Sequence, residues 1–331
     1  MTQDSASVSV SVLLPAYNAR TIVGRAIDSV LAQTHPGWEL IVVDDASSDG
    51  TADAVEARYA GEPRARVIRA TSNGGPARAR NMALREARGT WVALIDADDA
   101  WKPERLEHML AIAAKGADAV FDNLCGFDAH GGIQTGPVFP ALAEDGFGIA
   151  ELVAPVVAGS ELDYGYLKPM MRGAFLREHA ITYDESLRSA EDLVFYIEVF
   201  LAGAAVLATS EPLYIYTTPR GSKTGLFSDY SHSVPGDAAV VVALERLMAR
   251  RRVGPAHEAR AAIESRMSFL RRIGPVSSFY YARRKRDFAS MLRLAATEPA
   301  VQVELSRKVG QVLARKVKRW APPGRARAGE G

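Results

Sequence analysis

The chain has 331 residues, of which 48% are hydrophobic, 8% aromatic and 24% charged; this excludes a largely disordered protein and supplies apolar side chains for a sizeable core. Its single cysteine, Cys125, excludes an intramolecular disulfide and a cysteine-based zinc site, and fits a reducing compartment. The net charge of +1 conceals an asymmetry: from Val241 onward there are 21 Lys and Arg against 7 Asp and Glu, a balance of +14 that leaves −13 for the rest.

The first 125 residues alternate between apolar runs and helical spacing. Val8 to Leu14 reads as a strand, Thr21 to Gln33 as a helix and Glu39 to Val43 as a strand. Thr51 to Tyr59 is a helix that Ser47 to Asp49 can cap, and Arg66 to Arg69 a short strand. Gly75 to Arg88 is an Ala- and Arg-rich helix ended by Gly89, followed by a strand at Trp91 to Ile95. Lys102 to Ala114 is a helix with Pro103 in its first turn, and Ala117 to Phe121 a fifth strand. Such alternation predicts an α/β fold, a mostly parallel sheet with helices on both faces. Gly131 to Gly148 is expected to be a long loop, Ala190 to Leu201 a helix and Val206 to Tyr216 a strand interrupted by proline. Gly221 to Gly236 is a candidate lid, and from Asp237 the pattern is helical until a frayed tail. No apolar run reaches the roughly 18 residues of a spanning helix. The N-terminal segment lacks the pattern of a signal peptide.

In a parallel sheet, ligands bind beyond the carboxyl ends of the strands. Three strand ends here turn polar: Pro15-Ala16-Tyr17-Asn18, Asp44-Asp45 and Asp96-Ala97-Asp98-Asp99. Five acidic residues at two carboxyl edges of one sheet repel one another, which a divalent cation or hydrogen-bond donors would relieve. Hard oxygen ligands in small number suit Mg²⁺ or Mn²⁺, with substrate phosphates completing the shell. The plainer role is capping of the following helices, and Asp49 fits that better than ligation.

These residues carry a resemblance. VSVLLPAYNA, ELIVVDDASSDGT, NGGPARARN and WVALIDADD followed by KPERL, in that order, resemble glycosyltransferase family 2. YDESLRSAEDLVFYIEVFLAG and PLYIYTTPRGSKTG extend the likeness to about residue 225. The resemblance implies inverting enzymes with the GT-A fold, a Rossmann-like nucleotide-diphospho-sugar transferase architecture. It implies a catalytic domain over 1–236, with a donor half to about 125 and an acceptor half from about 126 to 236, and a basic helical region over 237–331. Pro15, Ala16, Tyr17 and Asn18 would line the donor pocket, and Asp45 would accept from the base, which favours uracil. Asp96 would approach the ribose and assist Asp98 at the metal, with Asp44 and Asp99 in support. Arg78 and Arg80 would lie near the donor, where guanidinium groups suit phosphate. Asp192 would be the catalytic base, Glu191 its neighbour; Asp192 also stands where a helix cap would. Arg220 and Lys223 would meet the diphosphate, or form an exposed basic loop.

The expected activity is transfer of a single sugar from a nucleotide-diphosphate sugar to a glycan or lipid-linked acceptor, as in exopolysaccharide or cell-envelope assembly. The Gln-x-x-Arg-Trp segment of processive synthases does not occur after Asp192. A binding protein with an idle base is the alternative. A nucleotidyltransferase fits less well, because PAYNARTIVGR is not a Gly-rich basic loop, and no G-x-G-x-x-G supports a dinucleotide enzyme. In the last quarter, Ser306 to Trp320 and Arg283-Arg284-Lys285-Arg286 suit an anionic membrane at its cytoplasmic face, or packing within a domain or dimer. No nucleic acid is expected as partner.

Overall fold

The computed structural model describes residues 9–128, 132–140, 142, 146–155, 157, 160, 162–218 and 236–308. The chain divides into two compact units, 1–267 and 268–331.

The first unit opens with three strand–helix pairs. These are β1 (Val10–Ala16), α1 (Val23–Leu31), β2 (Trp38–Asp44), α2 (Thr51–Arg58), β3 (Ala65–Arg69) and α3 (Pro76–Glu86). β4 (Trp91–Leu94), the two-residue β5 (Ala100–Trp101), α4 (Arg105–Ala113) and β6 (Ala119–Asp128) follow. Then come β7 (Ile133–Pro137), α5 (Ile149–Leu152), a 3₁₀ turn at Tyr164–Tyr166, β8 (Met170–Arg172) and α6 (Gly173–Glu178). α7 (Glu191–Leu201), β9 (Val206–Thr217) and α8 (Asp237–Arg250) precede α9 (Glu258–Arg284) and α10 (Phe288–Thr297).

Among the described residues the strands form one sheet in the order β3-β2-β1-β4-β8-β6-β9-β5, with β7 beside β6. The pairs β1–β2, β1–β4, β2–β3 and β6–β9 are parallel. The short β8 lies antiparallel between β4 and β6 and so joins the two parallel blocks. The sheet is therefore mixed, though largely parallel. Right-handed crossovers place α1 and α2 on one face; the return from β3 to β4 places α3 on the other. This reversal opens a crevice beyond the carboxyl ends of β1 and β4.

β2 is buried along its whole length and β1 at every residue but Pro15, which their Val-, Ile- and Leu-rich sequences anticipate. Pro15 is tolerated in this central strand for a local reason. Leu13 O accepts from Ile95 N and Ala16 O from Asp45 N, so Pro15 faces the β4 side, where pairing has already stopped at Leu94. Pro212 in β9 is likewise met by a register shift, and Asn123 Nδ2 there donates to Ser210 O at 3.1 Å.

Three expectations change. Gly89 does not cap α3, whose last turn ends at Ala87 in an extended conformation. A Cβ at Gly89 would lie 2.5 Å from Ser11 N, so glycine is needed where the chain passes against β1. Part of the expected loop 131–148 is β7, paired with β6 through its backbone. β6 itself runs on to Asp128. Asp49 does serve α2, accepting from Thr51 N at 3.0 Å.

α8 is fixed to α7 by Glu198, which receives Arg250 at 2.7 Å and Arg251 at 2.6 Å. In the second unit Phe279, Ala282 and Val301 are buried, and Tyr280 OH donates to Glu304 at 3.0 Å. α10 buries none of its residues and exposes Phe288 and Leu292. Among the described residues no helix is long and apolar enough to cross a membrane.

Candidate active site

The loops after β1 and β2 are laced together. Asn18 N donates to Ser47 Oγ at 2.8 Å and Asn18 Oδ1 accepts from Ser48 N at 3.0 Å. Asn18 and Ala46 hold positive φ, at 46° and 58°, which turns both chains sharply at the strand ends. Pro15 and Ala16 are backbone wall, and Tyr17 stands out with its ring 49% exposed. Asp45 is buried, its carboxylate accepting from Gly74 N at 2.8 Å and Gly75 N at 2.7 Å. It thus fixes the NGGP loop to the end of β2. Asp44 is buried beside it, with Oδ1 accepting no hydrogen bond among the described residues. Among the described residues Arg78 donates to Ser72 Oγ alone, at 3.1 Å.

The turn after β4 is held from β9. Tyr214 OH accepts from Asp96 N at 3.0 Å and donates to Asp99 Oδ2 at 2.7 Å, while Thr217 N donates to Asp99 Oδ1 at 2.7 Å. Burial first, then the charges of Asp98 and Asp96, push the Asp99 carboxyl well above its usual range. Asp98 presents its backbone carbonyl to Arg25 and Thr217. Arg25 stacks on Phe127 with its guanidinium carbon 4.2 Å from the ring centroid. Among the described residues no cation pairs with the Asp98 carboxylate, and burial followed by the Asp96 charge raises that carboxyl to about 6.

Asp96 belongs to a second, buried cluster. Arg80 Nη2 meets Asp96 Oδ1 at 2.7 Å; Arg80 Nη1 meets Glu191 Oε1 at 2.5 Å and Asp192 Oδ1 at 3.4 Å. Lys168 Nζ meets Asp96 Oδ2 at 3.0 Å and pairs with Asp192 Oδ2. Two cations thus hold three carboxylates. Burial alone would lower the Lys168 ammonium; Asp192 and Asp96 hold it well above the ordinary lysine range instead. The same cations hold Asp96 well below the carboxylate range against its burial. Arg105, buried and paired with Asp122 at 2.7 Å, donates to Lys168 O at 2.5 Å and fixes the lysine's backbone. Glu191 and Asp192 open α7 just after Ala190, a non-glycine residue at φ 55°. Asn81 ties this segment to α3 by bonds to Tyr183 N at 2.9 Å and Tyr183 O at 3.0 Å.

The structure therefore gathers Asp96, Asp98, Asp99, Glu191 and Asp192 at one place, with Asp44 and Asp45 along the same edge. It turns Arg80 to carboxylates rather than toward a free phosphate site, and engages both oxygens of Asp96. Lys168, Tyr214, Arg25 and the Arg105–Asp122 pair were not anticipated. For Lys168 and Asp122 the signal was a lone charged residue in an apolar run, in LKPM and AVFDNL. Arg220 and Lys223 lie outside the described residues, and Ser306 to Trp320 is described only to Lys308.

A divalent ion fits this edge in a limited way. Among the described residues no three His, Cys, Asp or Glu side chains converge into a full metal shell. Asp98 is nevertheless a half-buried carboxylate with no ion pair among the described residues, beside the buried Asp99, which suits an ion whose remaining ligands are diphosphate oxygens and water.

A crevice at the β1/β4 switch point, edged by carboxylates, is the architecture of a nucleotide-sugar transferase of GT-A type. The Glycosyl transferase family 2 model matches residues 11–136. Over 328 residues the chain is 31% identical to the succinoglycan biosynthesis protein ExoO of Rhizobium meliloti (strain 1021), covering 95% of this chain and 88% of that protein. The crystal structure of S. aureus TarS 1–349 in complex with UDP superposes with a TM-score of 0.58 at 24% identity, over 80% of this chain and 71% of that one. The mannosyltransferase PcManGT from Pyrobaculum calidifontis, in complex with GDP-Man and Mn²⁺, gives 0.57 at 20% identity, over 94% and 82%. The two structures share the fold. The chain belongs to glycosyltransferase family 2 and is a glycosyltransferase.

Proposed function

We propose that this enzyme moves one sugar, with inversion, from a UDP-sugar to a hydroxyl of a glycan or lipid-linked acceptor in exopolysaccharide or cell-envelope glycan assembly. The observation that carries the reading is that Lys168 joins Asp192, at the head of α7, to the turn after β4 that carries Asp98, a carboxylate with no ion pair among the described residues. The relative active in succinoglycan biosynthesis supports the pathway class, and the TarS complex supports uracil. Residues 1–236 would carry donor and acceptor sites, and 237–331 the basic helical region.

Tyr17 and the backbone of Pro15 and Ala16 receive the nucleoside, with Asn18 and Asp45 shaping the pocket and Arg78 at its rim. Asp98 would hold Mn²⁺ or Mg²⁺, whose Lewis acidity would stabilise the departing nucleotide. Arg80 and Lys168 fix the Asp192 carboxylate. Asp192 takes the proton of the acceptor hydroxyl as its oxygen bonds to the anomeric carbon and the bond to the diphosphate breaks. The chain would work at the cytoplasmic face of a membrane, peripherally. The exposed Phe288 and Leu292 beside Arg283–Arg286 support that placement.

Thermal unfolding against UDP, GDP, dTDP and CDP, each with Mn²⁺ or with EDTA, tests the donor. A Mn²⁺-dependent shift confined to UDP is expected. No shift with any nucleotide would overturn the donor site.

A further inference from the structure

Tyr166 closes the 3₁₀ turn, and its backbone is fixed from several directions. Asp163 accepts from Gly165 N at 3.0 Å and pairs through its other oxygen with Arg266 at 2.5 Å. A Cβ on Gly165 would lie 3.1 Å from Leu193 Cβ, so the turn lies tight against the start of α7, one residue beyond Asp192. Tyr196 OH donates to Leu167 O at 2.8 Å. Two residues past Tyr166, Lys168 reaches Asp96 and Asp192. A chain so held cannot withdraw the side chain, yet the Tyr166 ring is 41% exposed. Among the described residues of the first unit, only Tyr17 and Tyr166 are exposed aromatic rings. Tyr17 stands at the nucleoside end, and Tyr166 on the turn leading to Lys168.

Its neighbour comes from the other wall. Tyr216 lies two residues beyond Tyr214 on β9 and so on the same face of the strand. Tyr214 carries the Asp96–Asp99 turn, and Thr217 binds both Asp98 and Asp99. The rings of Tyr166 and Tyr216 meet edge to face, with centroids 5.9 Å apart and planes at 76°. Burial raises both phenols above the ordinary tyrosine range, with Asp163 and Glu191 adding to it for Tyr166, and Tyr166, Asp99 and Asp98 for Tyr216. Both therefore remain O–H donors at neutral pH. The pair spans from the metal-side turn to the base-side turn, where the acceptor must lie.

We propose that Tyr166 and Tyr216 form the acceptor platform and that the acceptor presents a pyranose ring there. This rests on the glycosyltransferase reading of the same site. A pyranose chair offers a continuous face of C–H groups, which a fixed aromatic ring covers while the phenol hydroxyls bond to its rim. Two perpendicular rings make a corner that seats the sugar and turns one ring hydroxyl toward Asp192. An open-chain polyol has no such face, so the pair selects pyranosides over linear polyols.

The test is saturation-transfer NMR on the full chain with UDP and the diamagnetic Mg²⁺. The probes are the methyl β-D-glucopyranoside, galactopyranoside and mannopyranoside, with ribitol as comparison. At least one pyranoside should receive transfer about fivefold stronger than ribitol, and Tyr166→Ala and Tyr216→Ala should each remove most of it. Tyr166→Phe should keep most of it. The thermal shift with UDP should persist in the alanine variants, which shows that they fold. Equal transfer to ribitol, or pyranoside transfer untouched by both alanine variants, overturns the platform. Should no nucleotide shift the wild type, the donor reading fails by itself, and the pyranoside signals still decide the platform.

Discussion

Lys168 Nζ bridges two carboxylates from different elements: Asp96, 3.0 Å away after β4, and Asp192 at the head of α7. The lysine is buried and its backbone is tied down by Arg105. It joins the turn after β4 to the head of α7 through one side chain.

Lys168→Met would leave Arg80 alone against three carboxylates, the buried Glu191 and Asp192 and the half-buried Asp96. Removing one partner of a buried ion pair costs about 3–5 kcal/mol. The urea midpoint should fall accordingly, and Lys168→Arg should recover part of it. Transfer should fall further in the Met variant than UDP binding does, since the base loses its anchor. An unchanged urea midpoint in Lys168→Met would show that the bridge contributes nothing.

Asp192→Asn keeps the shape of the side chain and removes its basicity. A positioned general base contributes about 10²–10⁴ to rate, so transfer should fall by that factor while UDP binding with Mn²⁺ persists. Glu191→Gln should act differently. Glu191 pairs with Arg80 at 2.5 Å, so its loss should register first in stability. Near wild-type transfer by Asp192→Asn would move the base to another residue.

The parallel half of the fold was legible because β1, β2 and β4 are largely buried apolar runs separated by helical spacing, and the acidic residues announce themselves where those of β2 and β4 stop. β8 was not legible. Three residues have no period, and Met170–Arg172 owes its strand state to the gap between β4 and β6. Arg80 was read as a phosphate ligand because motif position carries no information about burial. Once α3 is packed, its guanidinium lies inside and must be compensated there, which the carboxylates of Asp96, Glu191 and Asp192 achieve. Lys168 escaped notice for the same reason. Its partners are distant in sequence, and only the completed sheet brings them within reach.

Asp98 carries the metal prediction. Its carboxyl is raised to about 6 by burial and by Asp96, so a proton competes with the ion for it. Mn²⁺-dependent UDP binding should weaken by about tenfold for each pH unit below that value, because the ligand must be deprotonated to coordinate. Titrations of UDP across this range, with Mn²⁺ and with EDTA, should diverge only above it. Asp98→Asn should bind UDP equally weakly in both at every pH. A variant that kept the Mn²⁺ effect would place the ion elsewhere.

Glu39 sets a separate pH dependence, at the opposite end of the strands. It accepts from Ser11 Oγ at 2.6 Å and Arg88 N at 2.7 Å, and pairs with Arg66 at 2.6 Å. Burial alone would raise its carboxyl; Ser11, the Arg88 N–H and Arg66 outweigh burial and bring it below the ordinary 4.5. The unfolded chain therefore binds more protons in the window below 4.5, and stability rises with pH there. The contribution of Glu39 is complete above that value and is lost as pH falls toward the depressed folded value. Glu39→Gln should unfold at lower temperature than wild type at neutral pH, by about 1–3 kcal/mol for buried donors left unsatisfied. As the solution is acidified the two thermal midpoints should converge, because the wild type loses what the variant never had. Midpoints that stayed a constant distance apart through this window would assign the acid sensitivity to other carboxylates.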